Sequence, residues 1–324
     1  MRGRTLINVT VLVALFVAAG LAVLGPGLFV QNFLSALSMG SQYALIATGY
    51  SMVYGIVRLI NFAHGDVFML GAYLAHYLIL FLNMPWWAAM LVSMAATGLI
   101  GAGIERVAYR PLRQAPRASL LITAIAVSLF LENAANVVFG ARNQAFSARS
   151  GLTASRSFEV FGEPVYYQSL LFVVPLITLV ALVGLYVFIE RSKAGAAIRA
   201  TAQDVEMARM LGIPVDRMIA LVFFVGSALA AAGGVMYSLQ YVQIHPLMGI
   251  LPGIKAFTAA VIGGIGSIPG AVLGGLLLGL AETFVVAFFP GLTSFQQVFA
   301  VIVLLVILLV RPTGIVGEDL TEKV

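Results

Sequence analysis

The sequence predicts an all-α polytopic membrane protein, and three observations support this fold class. Of the 324 residues, 61% are hydrophobic and only 10% are charged, far from the composition of a soluble domain. Several stretches of about 18 residues or more carry almost no charge, which is long enough for a helix to cross a bilayer core. The basic residues cluster between these stretches. We therefore expect one transmembrane domain over residues 1–324.

The charge balance and the lack of cysteine argue against several other classes. The net charge is +5, but the basic residues flank apolar spans and form no stripe of the kind that binds nucleic acid. Because the chain contains no cysteine, disulfides, thiolate nucleophiles and Cys-based metal sites are excluded. Nothing resembles a catalytic triad or paired catalytic carboxylates. We expect no catalytic residue and no metal site.

Hydropathy, glycine and proline punctuation and charge clusters predict about ten helical segments. The N-terminus resembles a signal peptide, but its apolar part of about 18 residues is long enough to span, so we interpret it as an uncleaved first helix. In an alternative, eight segments span fully while 62–81 and 250–266 are short or re-entrant. The predicted segments are 6–24, 30–57, 62–81, 86–107, 117–139, 168–189, 217–240, 250–266, 269–289 and 293–311.

The basic residues predict the orientation of these segments. The positive-inside rule places both termini and the loop 190–217 in the cytoplasm and the loop 140–167 outside. The outside loop carries three arginines, against the rule, although Glu159 and Glu163 partly balance them.

Two sets of four segments predict an inverted repeat, with halves at about 30–139 and 217–311. The first set begins outside and the second inside. The second member of each set is short or interrupted by glycine, a pattern that marks a transport path at a repeat interface. No repeat is visible at the level of individual residues.

The stretch "RLINFAHGDVFMLGAY" gathers polar groups within an apolar chain. Non-helical backbone at membrane depth must be buried in protein or line a watery cavity. Asn61, His64 and Asp66 are therefore candidates for a broken helix beside a substrate pathway, with Asp66 near a helix start. The alternative is an interfacial turn. One His and one Asp supply too few ligands for a metal.

The segment 190–217, "ERSKAGAAIRATAQDVEMARMLGIPVDR", is charged but well punctuated. Thr201 and Asp204 form a T-x-x-D capping signature, and Gly212 followed by Pro214 is a stop signal. The pattern predicts a cytoplasmic helix of about ten residues. A short helix with apolar knobs suits docking into a groove of a soluble partner.

The glycine-rich segment "GIKAFTAAVIGGIGSIPGAVLGGLLLG" fits neither a dinucleotide-binding fingerprint nor a P-loop. Gly266, Gly270 and Gly274 recur every four residues, which predicts a smooth helix face for close packing. Glu132 and Glu282 lie within predicted spans and are candidates for the pathway. Lys255 either forms an ion pair with a carboxylate or extends its ammonium group to the membrane interface. We favour the interfacial position.

Three stretches closely resemble the branched-chain amino-acid ABC permeases, whose relatives move urea or short amides. They are "SMGSQYALIATGYSMVYGIVRLINFAHGDVFMLGAY", "AGAAIRATAQDVEMARMLGIPVDRMIALVFFVGSALAAAGGVMY" and "KAFTAAVIGGIGSIPGAVLGGLLLG". The resemblance implies a permease subunit of a binding-protein-dependent importer in a bacterial inner membrane. It implies four kinds of partner: a second homologous permease, two cytoplasmic ATPase subunits, an extracytoplasmic substrate-binding protein and the lipid bilayer.

The resemblance also implies how energy reaches this chain. ATP would be bound by the partner ATPases and no cofactor by this chain, whose 203–212 segment matches the family's ATPase-contacting loop. The residues that match or flank this loop are Gln203, Asp204, Glu206, Ala208, Leu211 and Gly212. Met207 departs from the acidic-Ala-Ala consensus of other importers. The alternatives are a urea or short-amide permease and, from another class, an ion-coupled secondary transporter.

Overall fold

The computed structural model describes residues 15–146, 151–311 and 313–317, and this part of the chain is mostly helical. The predicted first helix, 6–24, begins outside the described residues. The first helices are α1 (Leu15–Leu24), α2 (Pro26–Val57), α3 (His64–Leu82), α4 (Trp86–Ile104) and α5 (Arg117–Phe139). The later helices are α6 (Leu170–Arg191), α7 (Lys193–Gln203), α8 (Val205–Met210), α9 (Val215–Tyr241), α10 (Ile250–Gly263), α11 (Ile268–Phe288) and α12 (Gln296–Val310).

Three irregular helical segments extend these elements. A π-helical turn (Glu105–Tyr109) and a 3-10 turn (Arg110–Leu112) continue α4, and a 3-10 helix (Pro290–Phe295) precedes α12. With these extensions, seven helices in the described part of the chain are long and apolar enough to cross a membrane. The seven are α3, extended α4, α5, α6, α9, α11 and extended α12. The chain is a multi-pass membrane protein.

Helix α2 lies at the centre of the molecule. Every residue from Gly40 to Val53 is buried, which is expected of a helix packed on all sides. It contacts α11, α9, α6 and α10. At 32 residues it is about 48 Å long, enough to cross a bilayer, although Ser, Gln, Tyr and Gly dilute its apolar content.

The sequence predicted an all-α chain, whereas the structure adds two small antiparallel sheets. Strands β2 (Ser155–Val160) and β3 (Glu163–Gln168) form a hairpin within the predicted loop 140–167. Phe161 and Gly162 join them with φ values of 50° and 82°, consistent with a two-residue turn of type I′. Outside the hairpin, β1 (Gln144–Ala145) pairs with β4 (Gln243–Ile244).

The hairpin anchors the start of α2. The Glu163 carboxylate accepts a hydrogen bond from the Gly27 N–H over 2.7 Å, satisfying one of the amides that a helix start leaves unpaired. Pro26 stands in the first turn, where its missing N–H costs nothing. The acidic residue also suits the positive end of the helix dipole.

The segment after α12 returns to the end of α10. The N–H groups of Ile315 and Val316 donate to the carbonyl oxygens of Ile262 and Gly263, each over 2.9 Å. Gly266, just beyond α10, lies against Gly55 near the end of α2. The ends of α2, α10 and α12 therefore lie on one side of the molecule.

Candidate functional site

A break in the chain separates α2 from α3. Arg58 ends α2 with a left-handed φ of 54°, and its N–H donates to the Tyr54 carbonyl over 2.8 Å. The chain then runs back along α2, so that the His64 ring lies 4.5 Å from the Tyr50 ring. Tyr50 precedes the end of α2 by seven residues, or about 10 Å of helix. Helix α3 therefore begins alongside the buried middle of α2.

The start of α10 meets the start of α3 at this depth. A Cβ added to Gly65 would collide with the Gly249 carbonyl oxygen, and a Cβ added to Gly249 would collide with that of Gly65. Gly253 also approaches, since its added Cβ would lie 3.1 Å from the Gly65 Cα. Only glycine permits backbones to come this close. Two helix N-termini, each with the partial positive charge of a helix dipole, thus converge inside the molecule.

A cavity of about 270 Å³ lies at these two helix starts. Asp66 contributes a carboxylate from the first turn of α3, and its Oδ2 accepts a 2.5 Å hydrogen bond from the Ser128 hydroxyl of α5. Glu132, one turn further along α5, adds a second carboxylate. The rest of the lining consists of aromatic, aliphatic and glycine residues: Tyr50, Phe62, Gly65, Gly249, Ile250, Gly253, Ile254 and Phe257.

The three residues predicted for a pathway occupy different places. Asp66 lines the cavity. His64 does not, since it is buried against α2 beside Gly49 and Tyr50. Asn61 accepts a 2.7 Å hydrogen bond from the Tyr109 hydroxyl and ties the break to the end of α4. The arrangement joins two carboxylates, the positive ends of two helix dipoles and apolar surface in one small space.

Sequence reasoning missed Ser128 and did not connect Glu132 with Asp66. Both lie in α5, four residues apart, and residues at this spacing share one helix face. The recurrence of polar residues at this spacing within an apolar helix is the signal that could have identified them. The contributions of Gly249 and Phe257 carried no comparable signal, because they depend on where α10 begins.

A buried ion pair joins α10 to α11 and α2. Lys255 Nζ lies 2.9 Å from Glu282 Oε2, which also accepts a 2.9 Å hydrogen bond from the Tyr43 hydroxyl. Glu282 is completely buried. The interfacial interpretation of Lys255 is therefore wrong, because its ammonium neutralises a carboxylate that has no access to water. Neither residue lines the cavity.

The segment 190–217 folds into two helices rather than the predicted single one. Asp204 separates α7 from α8 and caps α8, accepting hydrogen bonds from the N–H groups of Glu206 and Met207, each over 2.9 Å. Thr201 takes no part in the cap, since its hydroxyl donates to the Ala197 carbonyl within α7. Helix α8 has six residues instead of about ten, because Asp204 interrupts the helical run.

Helix α8 presents apolar side chains outward. Ala208 is buried, whereas Met210 and Leu211 are 81% and 72% exposed. Gly212 ends the turn with a φ of 79°, the left-handed conformation typical of a glycine after a helix. Gln203 and Glu206 are exposed as well. The predicted coupling residues therefore form a short capped helix whose exposed side chains project from the surface.

The three glycines predicted to share one packing face do not all lie on it. Gly270 and Gly274 belong to α11 and face α10, where added Cβ atoms would collide with the carbonyl oxygens of Gly263 and Ala259. Gly266 precedes the helix, in a turn with a φ of 95°. Its role is conformational, because the Ser267 cap starts the helix only after it. Gly275 and Gly279 instead face α2.

Comparisons with known proteins point to one family of membrane transport components. A family model described as "Branched-chain amino acid transport system / permease component" matches residues 32–308. BraD of Pseudomonas aeruginosa, a high-affinity branched-chain amino acid transport system permease protein, is 46% identical over 311 residues, or 91% of this chain and 98% of that protein. LivH permease proteins of Salmonella typhimurium and Escherichia coli K12 are 44% and 43% identical over the same shares of both chains.

A solved structure, PsaBC from Streptococcus pneumoniae, is similar with a TM-score of 0.49 at 14% identity, covering 92% of this chain and 97% of that chain. That likeness is too low to support a conclusion. The family match spans most of the chain, and the relatives match almost along their whole length. The chain belongs to the branched-chain amino acid transport permease family.

Proposed function

We propose that this chain is a permease subunit of a binding-protein-dependent ABC importer and forms the membrane path for branched-chain amino acids. The observation that carries the proposal is the 43–46% identity, over nearly full length, to permeases named for these substrates. The chain itself performs no catalysis. Its partners are a second homologous permease, two ATPase subunits that bind ATP, and an extracytoplasmic binding protein.

The cavity at the starts of α3 and α10 suits a small zwitterion with an aliphatic side chain. Asp66 and Glu132 attract the ammonium group, and the positive ends of the two helix dipoles attract the carboxylate. Phe62, Ile254 and Phe257 offer apolar surface to the side chain. A volume of about 270 Å³ lies just under the usual range for ligand pockets, which suits a substrate as small as one amino acid.

The helix packing supports an inverted repeat in which α2–α5 correspond to α9–α12. Contacts occur in matching pairs: α2 with α11 and α9 with α4, α3 with α9 and α10 with α2, α3 with α5 and α10 with α12. Gly49 and Gly226 approach each other reciprocally, as Gly65 and Gly249 do. A two-fold axis through these glycine pairs would place the cavity at the repeat interface, where transporters bind their substrates. The ten-segment count follows if α1, α2 and α10 join the seven long helices.

Helix α8 supports a coupling role in this proposal. Its exposed Met210 and Leu211 suit insertion into an apolar groove of an ATPase subunit. Asp204 and Gly212 fix its two ends. With the chain in the bacterial inner membrane and both termini in the cytoplasm, α8 faces the ATPases. Movement imposed there would pass through α7 and α9 to the buried α2, which contacts both.

Substrate competition in proteoliposomes tests this function. The complete transporter is reconstituted with its binding protein, and uptake of labelled leucine is measured against excess isoleucine, valine, urea or acetamide. We expect isoleucine and valine to compete and urea and acetamide to have no effect. Competition by urea or acetamide alone would assign the chain to the related urea or amide permeases.

A further inference from the structure

A second, larger cleft lies at the end of the molecule where α4 and α9 meet. It has a volume of about 750 Å³ and is separate from the cavity at α3 and α10. We call it the arginine cleft. The charged residues that line it are Glu105, Arg106, Arg110, Arg209, Asp216 and Arg217.

The charges of the arginine cleft leave a positive excess. Four arginines line it against two carboxylates. Arg110 lies 2.5 Å from Asp216, and Arg113, just outside the lining, pairs with both Asp216 and Glu105. These pairs neutralise the two acids and fix the end of α4 to the start of α9.

Three arginines of the cleft remain without an acidic partner. Arg106, Arg209 and Arg217 form no ion pair with any described residue, and all three are exposed. They come from the end of α4, from α8 and from α9, so that the fold brings them together from separate parts of the chain. Guanidinium groups bind phosphate oxygens through paired N–H donors.

The position of the cleft along α4 matches the depth of lipid headgroups. Extended α4 runs from Trp86 to Leu112 over 27 residues, and about 20 of these cross the hydrocarbon. The turn that carries Arg106 and Arg110 therefore lies at the interface. Ala102, Gly103 and Ala220 form an apolar wall of the cleft. The space beside Gly103 is open, since an added Cβ would meet nothing within 4 Å.

The side of α4 next to the cleft carries exposed apolar side chains. Leu99 and Val107 are 68% and 79% exposed, as expected of side chains that contact acyl chains in a multi-pass protein. The cleft thus combines an apolar wall, open space and guanidinium groups without an acidic partner among the described residues. This is the form of a site that holds a lipid by its headgroup and lets its chains continue along the helix.

We infer that the arginine cleft binds the phosphate of an anionic phospholipid in the leaflet at this end of the molecule. The proposed orientation makes that leaflet the cytoplasmic one. Because Arg209 belongs to α8, a bound lipid would also hold α8 against α4 and α9. The inference needs only a membrane-embedded chain and does not depend on the transported substrate.

Lipid retention by the purified transporter tests the inference. The complex is delipidated, incubated with phosphatidylglycerol or phosphatidylcholine in mixed micelles, and analysed by native mass spectrometry. The test variant is Arg106→Gln with Arg217→Gln. The matched control is Arg142→Gln with Arg156→Gln, which removes two exposed arginines elsewhere.

We expect the wild type and the control to retain phosphatidylglycerol in preference to phosphatidylcholine. In the test variant, the ratio of phosphatidylglycerol to phosphatidylcholine retained should fall roughly thirtyfold, since two basic residues near an anionic headgroup are removed. A second variant, with Lys at both positions, should keep an intermediate preference because the charge remains without the paired donors. This variant keeps the inference testable if the glutamine variant does not assemble.

Three outcomes would overturn the inference. The first is equal retention of the lipid by the test variant and the wild type. The second is displacement of the lipid by inorganic phosphate at millimolar concentration, which would make the ligand a soluble anion. The third is a test variant that keeps the lipid but loses the ATPase subunits. In the last case the arginines would contact an acidic surface of an ATPase.

Discussion

Asp66 is the side chain on which the proposed pathway depends most. It is 2% exposed, lies in the first turn of α3 and accepts a hydrogen bond from the Ser128 hydroxyl. Asp66→Asn keeps the shape and removes the charge, so the ammonium group of a substrate would lose its partner. We expect leucine uptake to fall roughly tenfold or more while the assembled complex is recovered in normal yield.

Glu159→Gln provides the control for Asp66, because Glu159 is an exposed carboxylate on the hairpin. Its uptake should match the wild type. Unchanged uptake in Asp66→Asn, with normal assembly, would return the stretch around Asp66 to the interpretation of an interfacial turn.

Gly274 illustrates a side chain that must be absent. An added Cβ would collide with the Ala259 carbonyl oxygen of α10, so Gly274→Leu should force α10 and α11 apart at a cost of about 1–3 kcal/mol. We expect a lower thermal unfolding temperature in detergent. The matched control is Gly184→Leu in α6, where an added Cβ meets nothing within 4 Å. Equal stability of the two variants would refute the packing role.

Local sequence signals predicted some of these residues and missed others for identifiable reasons. Asp66 stood out as a carboxylate in an apolar run, and Gly274 by its spacing from Gly270. Lys255 and Glu282 are 27 residues apart on different helices, so that their pairing depends on packing that no local pattern encodes. Gly266 shared the spacing of the packing glycines but falls before the Ser267 cap, which decides where α11 starts.

Among the helices, α8 carries the sharpest mechanistic expectation. Leu211→Asp would place an unpaired charge in an apolar docking groove, and Gly212→Val would force a β-branched residue to a φ of 79°. Both changes should uncouple ATP hydrolysis from uptake, since no residue of α8 lines the cavity at α3 and α10. Substrate-stimulated ATPase activity and uptake are measured side by side in proteoliposomes.

The controls for α8 keep its chemistry while changing its sequence. Leu211→Met retains an apolar knob, and Gly212→Asn retains a residue that tolerates the left-handed conformation. Both should transport normally. If Leu211→Asp and Gly212→Val also assemble and transport at the wild-type rate, α8 is only a connector.

The long helices could be predicted from hydropathy, whereas the short elements could not. The apolar runs in α6 and α11 fill helices of 22 and 21 residues, long enough to span a bilayer, so that their existence and type follow directly from hydropathy. The hairpin β2–β3 is exposed along most of β2, and it therefore shows no alternation of apolar and polar residues. The division between α7 and α8 depends on the Asp204 cap alone. The Asp204 side chain accepts hydrogen bonds from the N–H groups of Glu206 and Met207, which would otherwise bond to backbone carbonyls of a continuous helix.

The orientation of the whole subunit in the membrane can be tested by labelling residues on its two sides. Phe161 is 91% exposed at the hairpin tip, and Lys193 is exposed in α7. Since the chain has no cysteine, Phe161→Cys and Lys193→Cys give sites free of background. We expect an impermeant maleimide to label position 161 in intact spheroplasts and position 193 only after lysis. The reverse pattern would invert the topology.

The proposed repeat shows the limit of sequence at this scale. Hydropathy gave two sets of four segments, because the count and lengths of apolar runs are local properties. The meeting of α3 and α10 required the chain to reverse after Arg58 and to begin α10 at Gly249 beside Gly65. Such close backbone contact depends on both repeats at once, and neither half contains the information alone.

The energy source tests the account most directly, because an ABC permease and an ion-coupled transporter differ in it completely. The reconstituted transporter is supplied with binding protein and labelled leucine outside, and uptake is measured with ATP or without ATP inside the proteoliposomes. Ion and proton gradients are imposed or collapsed by ionophores in parallel. The account predicts that uptake requires ATP and binding protein and is unaffected by collapse of the gradients. Uptake driven by an imposed gradient in the absence of ATP would contradict it.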